Sequence, residues 1–226
     1  MKNTAIPVLI YGTCNWARLL LDELGSDPRW RVVGVTCDPA YLTAGDVGGY
    51  PLYPFEGIEK RFPPEEIRML ACGIYASPRE RAAHFLRAKQ KNYTCANFIS
   101  ARAAVSPTAE FGENNFVFAG ACIDARCRFG SNNIVRPNVY VGHETQVGDT
   151  VFFGPGCNVA SRCRLGDRTM LGIGSTLVGG LTLGEEVLVG AGALMLKDAP
   201  PLGKYLGVPA RRMAEIDPET GIRMDK

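Results

Sequence analysis

Histidine is scarce in this chain, with two in 226 residues, which argues against a metal centre built from three imidazoles. The eight cysteines include no Cys-x-x-Cys pair and are scattered among unrelated segments, so they read as buried, reduced thiols rather than a disulfide framework. No window approaches eighteen consecutive apolar residues, and residues 1–9 are too short and too polar for a secretory signal. The expectation is therefore a cytoplasmic chain with no membrane insertion. A net charge of +2 leaves no excess for a nucleic-acid or anionic-membrane partner. What remains is globular composition, 46% hydrophobic and 21% charged, at a length that allows one or two domains.

What is present is a period of six. From Val105 to Met195 an apolar residue returns at every sixth position without a slip, through Val117, Phe129, Val141, Phe153, Leu165, Leu177 and Val189 and the hexads between them. The fifth position of each hexad is small or medium, as at Ala121, Cys127, Cys157, Cys163 and Ser175, and nine of the sixteen second positions are glycine. Six fits neither the α-helical period nor simple alternation. It marks a parallel β-helix whose coils each take three hexads, so that residue n lies beneath n+18 at about 4.8 Å. The first position fills the interior, and the glycine after it is expected to relax a corner at positive φ. Asn115 and Asn133, eighteen apart, are placed to stack as an amide ladder. Cys127 and Cys163, two coils and so about 9 to 10 Å apart, are too distant for a disulfide.

The first hundred residues follow other rules. An apolar strand, Pro7 to Tyr11, ends at Gly12; a helix-period run through Trp16, Ala17, Leu20, Leu21 and Leu24 stops at Gly25; a second strand runs from Arg31 to Cys37 before Asp38. Met69 to Ile74 reads as a third strand, Ser77-Pro78-Arg79-Glu80 as the capping box of a helix reaching Gln90, and Tyr93 to Phe98 as a fourth strand. The order implies a small, mainly parallel, Rossmann-like α/β domain over 1–102, followed by an all-β parallel β-helix over 103–212 and a tail over 213–226. A turn at a helix N-terminus and a carboxylate after the second strand are parts of a nucleotide site, here Gly12, Asn15 and Asp38. A domain that serves only for packing is the alternative.

His84 lies in an apolar helical run and reads as a packing residue. His143 instead occupies the third position of Val141-Gly142-His143-Glu144-Thr145-Gln146, directly after the glycine, so its imidazole should leave the prism and be free for proton transfer. Adding eighteen to it gives Ser161, Gly179 and Lys197, a column of roughly 14 to 15 Å. The thin pantetheine arm of coenzyme A fits such a column, its thioester at His143 and its phosphates near Lys197, Lys204, Arg211 and Arg212. Glu144 has Arg126 and Arg162 as column neighbours. It is either the centre of a charge ladder or the support of His143.

These features together resemble the hexapeptide-repeat sugar acyltransferases, in particular the two-domain group of sialic-acid O-acetyltransferases and bacterial nucleotide-amino-sugar N-acetyltransferases. The resemblance covers nearly the whole chain and rests on Ile10-Tyr11-Gly12, Ser106-Pro107-Thr108-Ala109, His143-Glu144, Val147-Gly148-Asp149, Gly190-Ala191-Gly192-Ala193, Lys197-Asp198 and Gly207-Val208-Pro209-Ala210-Arg211. It implies a left-handed coil, an exception to the right-handed crossover rule, and a homotrimer with acetyl-CoA between adjacent helices and no metal. His143 matches the general base and Glu144 its acidic partner. Ser161, Gly172, Gly179, Gly190, Ala191, Lys197 and Arg211 match donor-binding positions. The acceptor, on the same resemblance, is a hydroxyl or amine of a sugar or nucleotide-sugar used in bacterial surface glycan synthesis. Two positions depart from the family pattern: Thr13-Cys14-Asn15-Trp16-Ala17 replaces its glycine- and histidine-rich turn, and Phe152 stands where a second histidine often orients the acceptor. A non-catalytic trimeric scaffold is the alternative function.

Overall fold

The computed structural model describes residues 5–42 and 45–224. The chain divides into two compact units, 1–74 with 80–96 and 75–79 with 97–226. Among the described residues no helix is long and apolar enough to cross a membrane.

The first unit is built on β1 (Ile6–Tyr11), α1 (Asn15–Gly25), β2 (Trp30–Cys37), β3 (Asp46–Val47), β4 (Tyr50–Pro54), β5 (Arg68–Ala71) and most of α2 (Pro78–Gln90). Its sheet has the order β3-β4-β2-β1-β5 and is parallel except for the pair β3 and β4. Helix α1 buries Trp16, Ala17, Leu20, Leu21 and Leu24, one stripe at helical spacing. Leu9 and Tyr11 share a core with Met69, Ala71, Ala88 and Tyr93.

Two sequence expectations fail here for identifiable reasons. The third strand stops at Ala71, because the Cys72 and Gly73 carbonyls accept from the Cys14 thiol at 3.2 Å and the Trp16 indole at 2.8 Å. Tyr93 to Phe98 forms no fourth strand in this sheet: only Cys95 bridges to Met69, while Phe98–Ile99 pairs with Phe116–Val117 in the second unit. Strand β4 went unread because Pro51 and Pro54 argue against a strand. Only the two-residue β3 lies beyond it, and the sheet margin tolerates the missing amides.

The second unit is a left-handed parallel β-helix of two-residue strands. Its first face carries the strands that end at Val105, Ile123, Val141, Val159, Leu177 and Met195; its second, those that end at Phe111, Phe129, Val147, Leu165 and Leu183; its third runs from Phe98–Ile99 through Phe153, Leu171 and Val189 to Gly203–Leu206 and Arg211–Glu215. Every pair of successive repeat strands on a face stands eighteen residues apart, Tyr140 on Cys122 and Asn158 on Tyr140. Fourteen of the sixteen first positions are buried, and Val105 and Phe111, in the first coil, are half-buried. The amide ladder starts earlier than the repeat. Asn97 Oδ1 accepts from Asn115 Nδ2 at 3.1 Å, Asn115 Oδ1 from Asn133 Nδ2 at 2.9 Å, and Asn133 Oδ1 from the Val151 amide at 2.7 Å. This ladder brings Asn97 into the second unit. At the other end, Arg211–Glu215 runs antiparallel to Gly203–Leu206 with its side chains exposed, and beyond it Ile216 and Ile222 are buried with Met170.

The glycines play a different part from the one the sequence suggested. Positive φ falls two residues after them, at the fourth position of every hexad from Asn114 to Gly192, where Arg126, Glu144, Arg162 and Glu186 adopt it as well as glycine. The second-position glycines are instead needed for close approach. A Cβ on Gly166 would lie 2.6 Å from the Glu185 amide nitrogen, and one on Gly142 would lie 2.6 Å from that of Ser161. Each turn of the coil thus has a thin wall followed by a tight corner.

Glu186 is the most deeply buried of the corner carboxylates, 1% exposed. It accepts from Arg79 Nε at 2.6 Å and Nη2 at 2.8 Å, and from Arg168 Nε at 2.8 Å. Burial alone would raise its pKa, but the two guanidiniums hold it below the usual carboxylate range.

Two outcomes follow from this packing. Gly166→Ala should cost about 1 to 3 kcal/mol by overpacking, whereas Gly156→Asn, at φ 69° with nothing within 4 Å of the added Cβ, should be near neutral; chemical denaturation of both variants checks this. Because Glu186 has a depressed folded pKa, its stabilisation is complete above the unfolded value of about 4.3 and disappears as pH falls through the folded value. Glu186→Gln should therefore lower stability by about 1 to 3 kcal/mol at pH 7, and its stability curve should approach the parent's only as pH falls below the unfolded value and through the depressed folded one.

Candidate active site

The edge between the first and second faces carries His143. Val141 fills the interior, Gly142 presses against the next coil, and Glu144 turns the corner at φ 61°, which leaves the His143 imidazole outside the wall and half-exposed. Its Nδ1 atom is shielded from solvent, and Glu144 Oε2 stands 3.3 Å away, an ion-pair contact short of hydrogen-bond geometry. Glu144 Oε1 accepts from Arg126 Nη2 at 3.0 Å and Nε at 3.2 Å. Arg126 first, and then His143, hold the Glu144 carboxyl below its usual range. A carboxylate facing Nδ1 assigns the proton of a neutral imidazole to that nitrogen and the lone pair to Nε2. Only the lower half of the expected charge ladder forms: among the described residues Arg162 makes no ion pair with Glu144.

Beyond His143 the column is built of backbone and small side chains. The Arg162 amide donates to the His143 carbonyl at 2.9 Å and the Gly180 amide to the Ser161 carbonyl at 3.0 Å, with Gly179 packed against Ser161 and Lys197 exposed beyond it. Lys197 and Arg211 line a cavity of about 450 Å³ with Tyr205 and Pro209. Gly172, Gly190 and Ala191 lie elsewhere, on the edge between the third and first faces, where a Cβ on Gly172 would meet the Ala191 amide at 2.5 Å. One prism therefore separates the expected donor-binding residues into two groups. Phe152 belongs to neither. It lies on the third face, stacked on Tyr75 at 5.6 Å and packed with Met170, Ile216 and Ile222.

In the first unit, Gly12, Asp38, His84 and Arg87 line a cavity of about 490 Å³. Asn15 opens α1 as an exposed residue outside that lining. Both Asp38 oxygens have partners within the unit: Oδ1 accepts from the Tyr11 hydroxyl at 3.0 Å and Oδ2 from Arg87 Nη1 at 2.6 Å. Burial works against the charge of Asp38, but Arg87 and Tyr11 hold its pKa down. Tyr11 is sandwiched between Phe55 at 3.8 Å and His84 at 3.6 Å. Burial lowers the His84 pKa, and its Nε2 is 3.0 Å from the Tyr11 carbonyl oxygen. Arg87 escaped sequence reading, although its spacing of three from His84 on one helix was the available signal.

Neither a family model nor a curated protein matches the chain. Among solved structures, a histidine-to-asparagine variant of perosamine N-acetyltransferase from Caulobacter crescentus, in complex with CoA and GDP-perosamine, has a TM-score of 0.81 at 25% identity and covers 92% of this chain and 97% of its own. The acetyltransferase domain of PglB from Neisseria gonorrhoeae, in complex with acetyl coenzyme A, has a TM-score of 0.83 at 22% identity, over 92% and 100% of the two chains. WeeI from Acinetobacter baumannii has 0.76 at 18% identity, again over 92% and 100%. In fold and in the order of its parts, this chain is built on the two-domain plan of the hexapeptide-repeat nucleotide-amino-sugar acetyltransferases.

Proposed function

We propose that the chain is an acetyl-CoA-dependent acetyltransferase acting on an amine or hydroxyl of a nucleotide-linked sugar, with His143 as general base. The observation that carries this reading is the half-exposed imidazole held at a corner with its shielded Nδ1 turned to Glu144 Oε2 at 3.3 Å. Nε2 takes the proton of the acceptor as its nitrogen or oxygen bonds to the thioester carbonyl carbon. Glu144 stabilises the imidazolium so formed, and a backbone amide stabilises the oxyanion. The intermediate then collapses with cleavage of the carbon–sulfur bond, and the imidazolium returns the proton to the leaving thiolate. No acyl-enzyme forms. The solved neighbours named as N-acetyltransferases favour an amine as acceptor.

The donor lies along Ser161 and Gly179 towards Lys197 and Arg211. Since Gly172, Gly190 and Ala191 sit on another edge of the same prism, a site that uses both groups takes them from two copies, which the closed symmetry of a homotrimer supplies. In the first unit, Gly12 and the Asp38–Arg87 pair wall the cavity assigned to the nucleotide; Asp38 acts there by fixing Arg87 and Tyr11. Phe152 and Asn15, outside these cavities, are at most peripheral to acceptor binding. Acetyl-CoA as donor fits a cytoplasmic enzyme.

Calorimetric titration with acetyl-CoA should give saturable binding near one site per chain, weakened by Lys197→Ala or Arg211→Ala. His143→Gln should retain that binding and the parent's melting temperature while losing about 10² to 10⁴ in kcat on a panel of nucleotide-linked amino sugars that includes GDP-perosamine. Full activity in this variant would remove His143 as the general base, and absence of transfer by the parent on every acceptor would leave the scaffold reading. A shared site makes a further demand: His143→Gln and a variant at the exposed Ala191 of the other edge, Ala191→Arg, each inactive, should recover about a quarter of parental activity when refolded together as mixed trimers, and recover none if each protomer carries a complete site.

A further inference from the structure

We propose that Arg126 is a positioning residue for this reaction. It clamps Glu144 one coil away so that Oε2 faces His143 Nδ1, and thereby selects the imidazole tautomer whose lone pair is on Nε2. This rests on the general-base reading of His143 given above.

Three observations carry the inference. First, Arg126 and Glu144 occupy equivalent corners of successive coils, at φ 58° and 61°. The Arg126 amide is anchored on Thr108 Oγ1 at 3.1 Å and the Glu144 amide on the Ala125 carbonyl at 3.0 Å, so both side chains leave the coil from fixed points. Second, the guanidinium places two donors on a single carboxylate oxygen, Oε1, at 3.0 and 3.2 Å, which leaves Oε2 to the imidazole. Third, His143 Nδ1 is cut off from solvent and has no hydrogen-bond partner among the described residues. Glu144 Oε2 stands 3.3 Å from it, so the orientation of Glu144 biases which nitrogen keeps the proton. As an ion pair between side chains 64% and 41% exposed, the contact contributes little to stability; its effect is on geometry. The charged groups at this edge are Glu144 beside the imidazole, Asp124 and Arg126 one coil before it, Arg162 one coil after it, and Lys197 and Asp198 further along the column; the Asp124 carboxylate accepts from the Tyr140 hydroxyl at 2.7 Å.

The chain has two histidines, so nitrogen-15 labelling gives two imidazole spin systems, and His143→Gln assigns them. At a pH where His143 is neutral, the parent should hold it mainly as the Nδ1–H form. In Arg126→Gln the ratio of Nδ1–H to Nε2–H should fall by about fivefold, the effect of one oriented carboxylate beside the ring near the surface. Arg126→Lys, which keeps the charge without the two-pronged grip, should restore part of that ratio. The melting temperature should not move, because the guanidinium is exposed. An unchanged tautomer ratio in Arg126→Gln would overturn the inference and leave the general-base reading intact. Conversely, an active His143→Gln would end the general-base reading while the tautomer measurement still reported on the clamp.

Discussion

Everything in the second unit depends on one constraint, the eighteen-residue register in which each coil hydrogen-bonds to the next. The Gln146 amide donates to the Cys163 carbonyl at 2.9 Å, the Gly148 amide to Leu165 at 2.9 Å, and the Thr150 amide back to Ser131 at 2.8 Å. Strands of two residues cannot hold themselves together; cohesion comes from stacking and from an interior filled by one large side chain per strand. Stacking at about 4.8 Å is possible only where nothing stands between the coils, which is why the wall before so many corners is glycine. The same register extends side chains into ladders: amides at Asn97, Asn115 and Asn133, and carboxylates where the Ser131 amide donates to Asp149 at 2.6 Å and the Asp149 amide to Asp167 at 2.9 Å.

A corner made this way is a good place for a proton-transfer group. Its backbone is anchored to the coil on either side, so the side chain that leaves it starts from a defined point and loses little freedom on binding a substrate. His143 therefore needs only one oriented neighbour to have a defined tautomer. Glu144 supplies it from the next residue, at a positive φ that directs the two side chains toward each other.

The β-helix was readable because its signal repeats. Each hexad states the same rule about burial, and Val117 to Met195 obey it. Exposure of His143 and its column to Lys197 followed by arithmetic from that period. The positive-φ corners were misplaced because glycine has two uses, freedom of φ and absence of a Cβ, and the sequence does not distinguish them; Gly142 serves the second, and Glu144, with a full side chain, serves the first. The α/β unit was harder to read because its contacts occur once. Nothing in the run Tyr50 to Pro54 announces a strand, and nothing at Asp38 announces that Tyr11 and Arg87 occupy both of its oxygens. Arg126 was visible as a neighbour of Glu144, but not that it would leave one oxygen for the imidazole.

The three edges of the prism carry different chemistry, and the difference argues for association. The edge between the second and third faces commits carboxylates to partners within the chain: Asp149 and Asp167 accept from amides of the preceding coil, and Glu186 accepts from Arg79 and Arg168. The edge between the third and first faces presents Pro137, Pro155, Ile173 and Ala191 in one column, small or apolar groups with no charge, and Ile173 is 63% exposed. The edge between the first and second faces alone carries an imidazole. In the site proposed above, the donor lies between an apolar wall and the His143 base, and a convex prism cannot turn two of its own edges toward each other. Packing the apolar edge of one copy beside the His143 edge of another meets both needs with a single repeated contact, and three such contacts close a ring in which every edge of that kind is used.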